Sequence, residues 1–440
     1  MIERYWPVCK MTICGSGERL AVSDELLLRE LFDAAVAAAD PAHLMAAAMP
    51  VRKPRGRTIV IGAGKAAATM AAAFEAQWQD SVEGLVVTRY GHAIPTRQIE
   101  VVEAGHPVPD ESGVIAASRI AALVTGLTED DLVVCLLSGG GSALLALPVV
   151  GVSLVDLQEV TRLLLASGAT IREMNCVRKH LSQLQGGKLA VRCAPAKVVS
   201  LIISDVPGDE LSIIASGPTA ADETTSTDAL AILAQYKIRV PVSVKQHLQR
   251  IEELPVRPSD PRLERVSNVL IASPYASLQA AARVARKHGV TPWILGESIE
   301  GEARDVALDH AAIARRAVLQ GEPVGRPCVL LSGGETTVTV RGSGRGGRNT
   351  EFLLSLALAL DGLAGVHALA ADTDGIDGTQ HNAGALIAPE TLSRARSLGV
   401  DAREYLVNND AYTFFLAVDS LLITGPTRTN VNDFRAILIR

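Results

Sequence analysis

Arg57-Thr58-Ile59-Val60-Ile61 runs into Gly62-Ala63-Gly64-Lys65-Ala66-Ala67 and then into an alanine-rich stretch ending near Gln77. A short β-branched run, a glycine turn and a run of strong helix formers read together as one strand, turn and helix unit. Working outward, Gly84 to Thr88 and Ile99 to Val102 read as further strands, Ser112 to Val124 as a helix, and Leu132-Val133-Val134-Cys135-Leu136-Leu137 as a buried strand. Strands alternating with helices predict an α/β fold on a parallel sheet covered on both faces. Ligands of such sheets bind outside the carboxyl ends of the strands, so the residues just past each strand decide the chemistry.

Ser138-Gly139-Gly140-Gly141-Ser142 comes directly after the 132 to 137 strand. The same design recurs far downstream. There an apolar strand leads into Ser332-Gly333-Gly334-Glu335, a Thr/Val stretch that predicts a hairpin arm, and Gly342-Ser343-Gly344-Arg345-Gly346-Gly347-Arg348-Asn349. A helix from Glu351 to Leu360 takes over from there. Glycines let backbone amides approach an anion closely, guanidinium groups add charge-assisted bonds, and a helix N-terminus favours the same guest. Either loop alone reads equally well as a tight turn; the pair favours phosphate. The candidate phosphate-binding residues are therefore Gly62, Gly64, Ser138, Gly139, Gly140, Gly141, Ser142, Gly346, Gly347 and Asn349. Lys65, wedged among small residues at a strand-to-helix turn, gains little from a structural role. It is a candidate catalytic cation together with Arg348, while Arg345 reads as a solvated loop charge.

Other strands end in acids. Lys197 to Ser204 delivers Asp205, and His367 to Ala371 delivers Asp372-Thr373-Asp374-Gly375-Ile376-Asp377. The three aspartates begin like a calcium loop, but no glutamate closes it at the required offset. One or two carboxylates beside a phosphate loop suit Mg²⁺ or another divalent cation, which shares its ligands with water and substrate phosphates. Asp372 and Asp374 are the candidate metal ligands, with an Asx-turn network as the plain alternative. Asp205 is the candidate general base. His106 before Pro107, and Asn408-Asn409 before Asp410, read as buried polar anchors. The chain lacks GxxxxGK[ST], which excludes a P-loop kinase.

At 440 residues two domains are expected. Ser23 reads as the cap of the first helix, and residues 1–22 are left unassigned. A second helix is expected over Glu173 to Gln185. The proline-bearing run Glu252 to Pro261 reads as a linker, so the predicted domains are 23–255 and 262–440. A net charge of −6 and 3% aromatic residues argue against nucleic-acid partners. Neither a membrane-length apolar run nor a secretory h-region is present, which predicts a cytoplasmic protein without a membrane partner. The six cysteines lack CxxC spacing and read as reduced and structural. The oligomeric state stays open, a homodimer being one option.

Taken together, Gly62 to Ala66, Ser138 to Ser142, Ser204 to Asp209, Ser216-Gly217-Pro218-Thr219, Gly346 to Asn349, Asp372 to Gly375 and Gly425-Pro426-Thr427 closely resemble the glycerate 2-kinase family, the TtuD-like or MOFRL group. The resemblance spans residue 23 to the C-terminus. It implies ATP-dependent phosphorylation of D-glycerate at the 2-hydroxyl with a divalent metal. It also implies two α/β domains, the first a Rossmann-like three-layer sheet, with the active site in the cleft between them. The family's lysine and arginine match Lys65 and Arg348. Arg428 departs from the pattern, since glycine is expected there. Two rivals remain. One is an NAD(P)H-dependent hydroxypyruvate reductase, because Gly62 to Ala67 fits GxGxxA with Glu83 about 20 residues on. The other is a non-catalytic sugar-acid-binding protein.

Overall fold

The computed structural model describes residues 23–49, 53–250 and 255–440, so the unassigned N-terminal stretch and part of the expected linker lie outside the described residues. The first sheet comprises β1 (Thr58–Ala63), β2 (Glu83–Arg89), β3 (Ile99–Ala104), β4 (Leu132–Leu137), β5 (Lys197–Ile203) and β6 (Val266–Ala272). Their order is β3-β2-β1-β4-β5-β6, with every pair parallel. Every residue of β1 and β4 is buried, as expected for strands covered on both faces. Ala67, Met70 and Phe74 of the helix Ala67–Gln77 pack on Val60, Val86 and Val134. Ala116 and Ile120 of the helix Glu111–Leu123 pack on the other face against Ile59, Ile61 and Val133. The strand order reverses between β1 and β4, which opens a crevice at their carboxyl ends.

The remaining strands are β7 (Thr291–Gly296), β8 (Gly301–Glu302), β9 (Cys328–Gly334), β10 (Thr336–Thr337), β11 (Val366–Asp372), β12 (Gly384–Ile387), β13 (Leu421–Leu422) and β14 (Asp433–Ile439). Six of them form a mixed sheet ordered β13-β12-β11-β14-β9-β7. β14 runs antiparallel to both β11 and β9, so Asp433 lies opposite Asp372 on one side and Gly334 on the other. The amino end of β14 therefore meets the carboxyl ends of its two neighbours.

Three local expectations change. The Thr/Val stretch forms no hairpin: β10 pairs in parallel with β8. The helix expected over 173–185 is Ile171–His180, started by Thr170 and Glu173 as a capping box. It stops because Ser182 bridges to Pro148, and the Ser182 hydroxyl accepts from the Leu184 and Gln185 amides. The expected boundary between 255 and 262 does not separate the two sheets. β6 lies beyond it and pairs with β5, while the helix Asp24–Ala37 buries Leu27, Leu28, Leu31 and Phe32 against Leu278, Val329 and Phe434 of the second sheet's layer. Phe32 and Phe434 meet edge-on at 5.9 Å, and Arg440 Nε donates to Asp24 at 2.7 Å.

Candidate active site

The loops after β1 and β4 are tied to each other. Lys65 N donates to Gly139 O at 2.8 Å, and Ala66 N donates to Ser138 Oγ at 3.0 Å. A Cβ on Gly62 would lie 2.1 Å from Leu136 O, and one on Gly64 would lie 2.1 Å from Ser138 Oγ. These two glycines let β4 and its loop come close, and the Gly64 amide is spent on Val87 O. They position Lys65 rather than offering amides to a phosphate. Gly139 serves differently: its missing Cβ would sit 1.7 Å from Asp205 Oδ2, so the carboxylate occupies that space.

Lys65 Nζ reaches across from the first sheet to Asp374 Oδ2 at 2.8 Å. Asp372 Oδ1 accepts from the Asp374 amide at 2.9 Å, while its Oδ2 accepts from Arg348 Nη2 at 2.8 Å. Arg348 also donates from Nε to Asp433 Oδ1 at 2.7 Å and from Nη1 to Glu335 Oε1 at 3.1 Å. Asn349 Nδ2 donates to the same Asp433 oxygen at 2.8 Å, and Arg435 Nη2 donates to Asp433 Oδ2 at 2.6 Å. Lys65, Arg348, Asp372 and Asp374 thus form one continuous network. Asp205 joins it through the segment before β14: Asn430 Nδ2 donates to Asp205 Oδ2 at 3.0 Å, Asn432 Nδ2 donates to Asp205 O, and Asn432 O accepts from Thr373 N at 3.1 Å.

The downstream glycine loop departs from the reading as an anion cradle. The Arg341 and Gly342 amides donate to Asn409 Oδ1 at 2.8 and 3.0 Å, Ser343 N to Asn408 Oδ1 at 3.1 Å, and Arg345 N to Asp410 Oδ1 at 2.9 Å. Asn409 is the buried polar anchor expected of it, whereas Asn408 braces the loop from an exposed position. Gly347 N donates to Thr350 Oγ1 at 3.0 Å. The helix N-terminus is also taken, since Asp377 accepts from the Asn349 and Thr350 amides at 2.9 Å each. This loop therefore holds Arg348 in place, and an anion would have to displace Asp377 to use the helix end. Arg345 lies exposed over the Tyr412 ring, 5.1 Å from its centroid.

Five carboxylates, Asp205, Glu335, Asp372, Asp374 and Asp433, face the three cations Lys65, Arg348 and Arg435. Burial, reinforced by the adjacent Asp374, pushes Asp372 well above the usual carboxylate range. Burial would raise Asp374 too, but the Lys65 ammonium outweighs it and holds that carboxyl low. Burial likewise would lower Lys65, and the two aspartates outweigh it and hold its pKa above the ordinary lysine value. Burial pushes Asp205 up to about 6, with Glu335 adding to the rise. Carboxylates that outnumber the cations make a donor set of hard oxygens that fits a divalent cation sharing ligands with phosphate. Among the described residues no group of three or more His, Cys, Asp or Glu side chains is placed as a ready-made metal cage.

Sequence reasoning missed Asp433, Asn430 and Asn432 as site residues and gave Glu335 no role. The available signal was Asn430-Val431-Asn432-Asp433, four residues of which three are polar, directly before an apolar strand. Arg428 adopts a φ of +65°, the left-handed conformation for which glycine was expected at this position.

The domain of unknown function DUF4147 matches residues 27–249, and the MOFRL family matches residues 328–433. A protein of Agrobacterium vitis bearing a hydroxypyruvate reductase name is 54% identical, over 95% of each chain. The D-glycerate 2-kinase of Thermotoga maritima is 44% identical, over 86% of this chain and 89% of its own. The crystal structure of a Thermotoga maritima glycerate kinase superposes with a TM-score of 0.85 at 42% identity, covering 94% of this chain and 99% of that one. With both halves matched and kinase relatives aligned along most of its length, the chain belongs to the glycerate 2-kinase family.

Proposed function

We propose that this protein transfers a phosphoryl group from ATP to the 2-hydroxyl of D-glycerate, yielding 2-phosphoglycerate and ADP. The observation that carries the reading is the meeting of Lys65 from the first sheet with Asp374 from the second at 2.8 Å, beside Arg348 on Asp372. Phosphoryl transfer needs little covalent help from protein; it needs alignment and neutralisation of spreading charge. Lys65 and Arg348 supply fixed positive charge where the two sheets converge. Asp205, raised to about 6 and partly open to solvent, accepts the proton of the attacking hydroxyl near neutral pH. Asp372 and Asp374 would hold the divalent cation, which supplies further neutralisation of phosphate oxygens when bound. The Ser138 to Ser142 loop, at the crevice between β1 and β4, lies where α/β sheets receive nucleotide phosphates.

The reductase name on a relative motivates a second reading. A dinucleotide fingerprint needs its acid at the carboxyl end of β2, beside the glycine turn. Glu83 instead opens β2 and pairs with Ile59 near the start of β1, at the opposite end of the sheet. An ADP-release assay on D-glycerate, run beside an NADH-absorbance assay on hydroxypyruvate, tests the choice. ADP release with no NADH oxidation is expected; NADH oxidation without ADP release would reverse the reading, and binding without turnover of either would favour a non-catalytic protein.

A further inference from the structure

Two cations stand side by side on the helix Ile171–His180, with opposite surroundings. Lys179 Nζ pairs with Asp222 Oδ1 at 3.3 Å, both side chains 3% exposed. Arg178, partly exposed, has no carboxylate partner among the described residues; its Nη1 touches only the amide oxygen of Asn175, at 3.4 Å. Asn175 Oδ1 also accepts from Ser216 Oγ at 3.0 Å, and Ser216 Oγ lies 2.8 Å from Ser142 Oγ. Arg178 is thereby linked to the loop after β4, and it lines a cavity of about 10 Å³ with Pro107, Ser142, Ser182 and Gln185. That space holds one water at most, so a larger guest would meet Arg178 on its solvent-open side and not inside this cavity.

His106, next to Pro107, lies on the same side. A Cβ on Gly140 would be 3.0 Å from His106 Nε2 and 3.5 Å from Lys65 Cγ. Burial, then the positive charges of Lys65, Arg89 and Arg178, depress His106 to about 3, so it stays a neutral imidazole. Arg89, at the carboxyl end of β2, also lacks an ion-pair partner among the described residues. The cleft therefore has two electrical faces. The second sheet's end carries the surplus of carboxylates, and the first sheet's side carries Arg89, at the end of β2, and Arg178, on the helix Ile171–His180, without carboxylate partners among the described residues. A cation set among protein atoms without a partner is costly to keep there, and an incoming anion removes that cost.

We propose that Arg178, flanked by His106 and Arg89, is the seat of the acceptor's carboxylate and makes the enzyme select 2-hydroxy acids over neutral polyols. The proposal rests on the kinase reading above. Chemistry adds a reason for the position of attack. The carboxylate is bonded to C2, so clamping it in a guanidinium fork presents the 2-hydroxyl, one atom away, ahead of the 3-hydroxyl.

Arg178→Gln and Arg178→Lys, with Arg89→Gln as a second, independent variant, test this by steady-state kinetics and by the thermal shift that D-glycerate alone produces. Arg178→Gln is expected to raise the glycerate KM about 100-fold while leaving the ATP KM within about threefold, with Arg178→Lys between it and wild type. The glycerate-induced thermal shift is expected to disappear in Arg178→Gln. Methyl glycerate, which lacks the charge, is expected to be an equally poor substrate of wild type and variant. An unchanged glycerate KM, or a rise confined to ATP, would overturn the seat. Absence of ADP release from wild type would defeat the kinase reading alone. The thermal shift then still decides the seat, supporting it if present in wild type and lost in the variants, and overturning it if wild type shows none.

Discussion

Lys65→Met removes the ammonium that joins the two sheets while keeping most of the aliphatic stem. The losses are two and separable. Lys65 is 15% exposed and Asp374 2% exposed, so the substitution strands a buried carboxylate whose cationic partner among the described residues was Lys65. Breaking a buried pair by deleting one partner typically costs about 3 to 5 kcal/mol. The lower part of that range is expected, because Asp374 can take up a proton beside Asp372. The same substitution removes one fixed charge from the transferring phosphoryl group, which commonly lowers kcat about 100- to 1,000-fold. Lys65→Met/Asp374→Asn separates the two effects. With no stranded charge the double variant regains most of the stability, read as the urea midpoint, but stays as slow as the single variant. A single variant within a few-fold of wild-type kcat would refute the catalytic role. A stability loss that Asp374→Asn fails to recover would refute the pairing argument.

Neighbouring groups carry outcomes of their own. Below pH 6 Asp205 is protonated and cannot accept a proton, so kcat/KM is expected to fall about tenfold per pH unit there and level off above, with the limb absent in Asp205→Asn. A raised carboxyl pKa also means that the ionised form opposes folding at pH 7 but not below about pH 4, so Asp205→Asn is expected to raise Tm at pH 7 and leave it unchanged at pH 4. Asp372→Asn or Asp374→Asn is expected to raise the Mg²⁺ concentration needed for half-maximal rate, measured by metal titration of the ADP-release assay; unchanged dependence in both would make these acids purely structural. Arg428→Gly relieves a side chain held at a φ of +65° and is expected to stabilise by about 1 kcal/mol, read from chemical denaturation.

The α/β architecture and the first half of the site were legible because their signals are local. Lys65 sits at a strand-to-helix turn, and Asp205 and Asp372 come at the ends of apolar runs, so the rule about carboxyl ends of strands finds them. The same rule hides Asp433 and Asn430, because β14 is antiparallel and offers its amino end to the site. The loop from Gly342 to Gly347 misled for another reason. Its glycines are visible in the sequence, but the acceptors that consume its amides, Asn408, Asn409 and Asp410, belong to a distant segment. Gly62 and Gly64 likewise read as a nucleotide turn because the strand they make room for lies elsewhere in the chain.

The helix Asp24–Ala37 has a consequence for how the chain is made. Its apolar face is completed by Phe434, Ala436 and Leu438, residues synthesised after all the other strands. Domains emerging from the N-terminus usually fold as they appear. This helix cannot, since Leu27, Leu28, Leu31 and Phe32 have no finished surface to cover until β14 slots between β11 and β9. The first parallel sheet can assemble during synthesis, while the helix waits with its greasy side unclaimed until β14 has been made. A ribosome stalled before Asp433 would hold a nascent chain lacking both this docking surface and one of the Arg348 counter-ions, an exposed species for chaperones to hold.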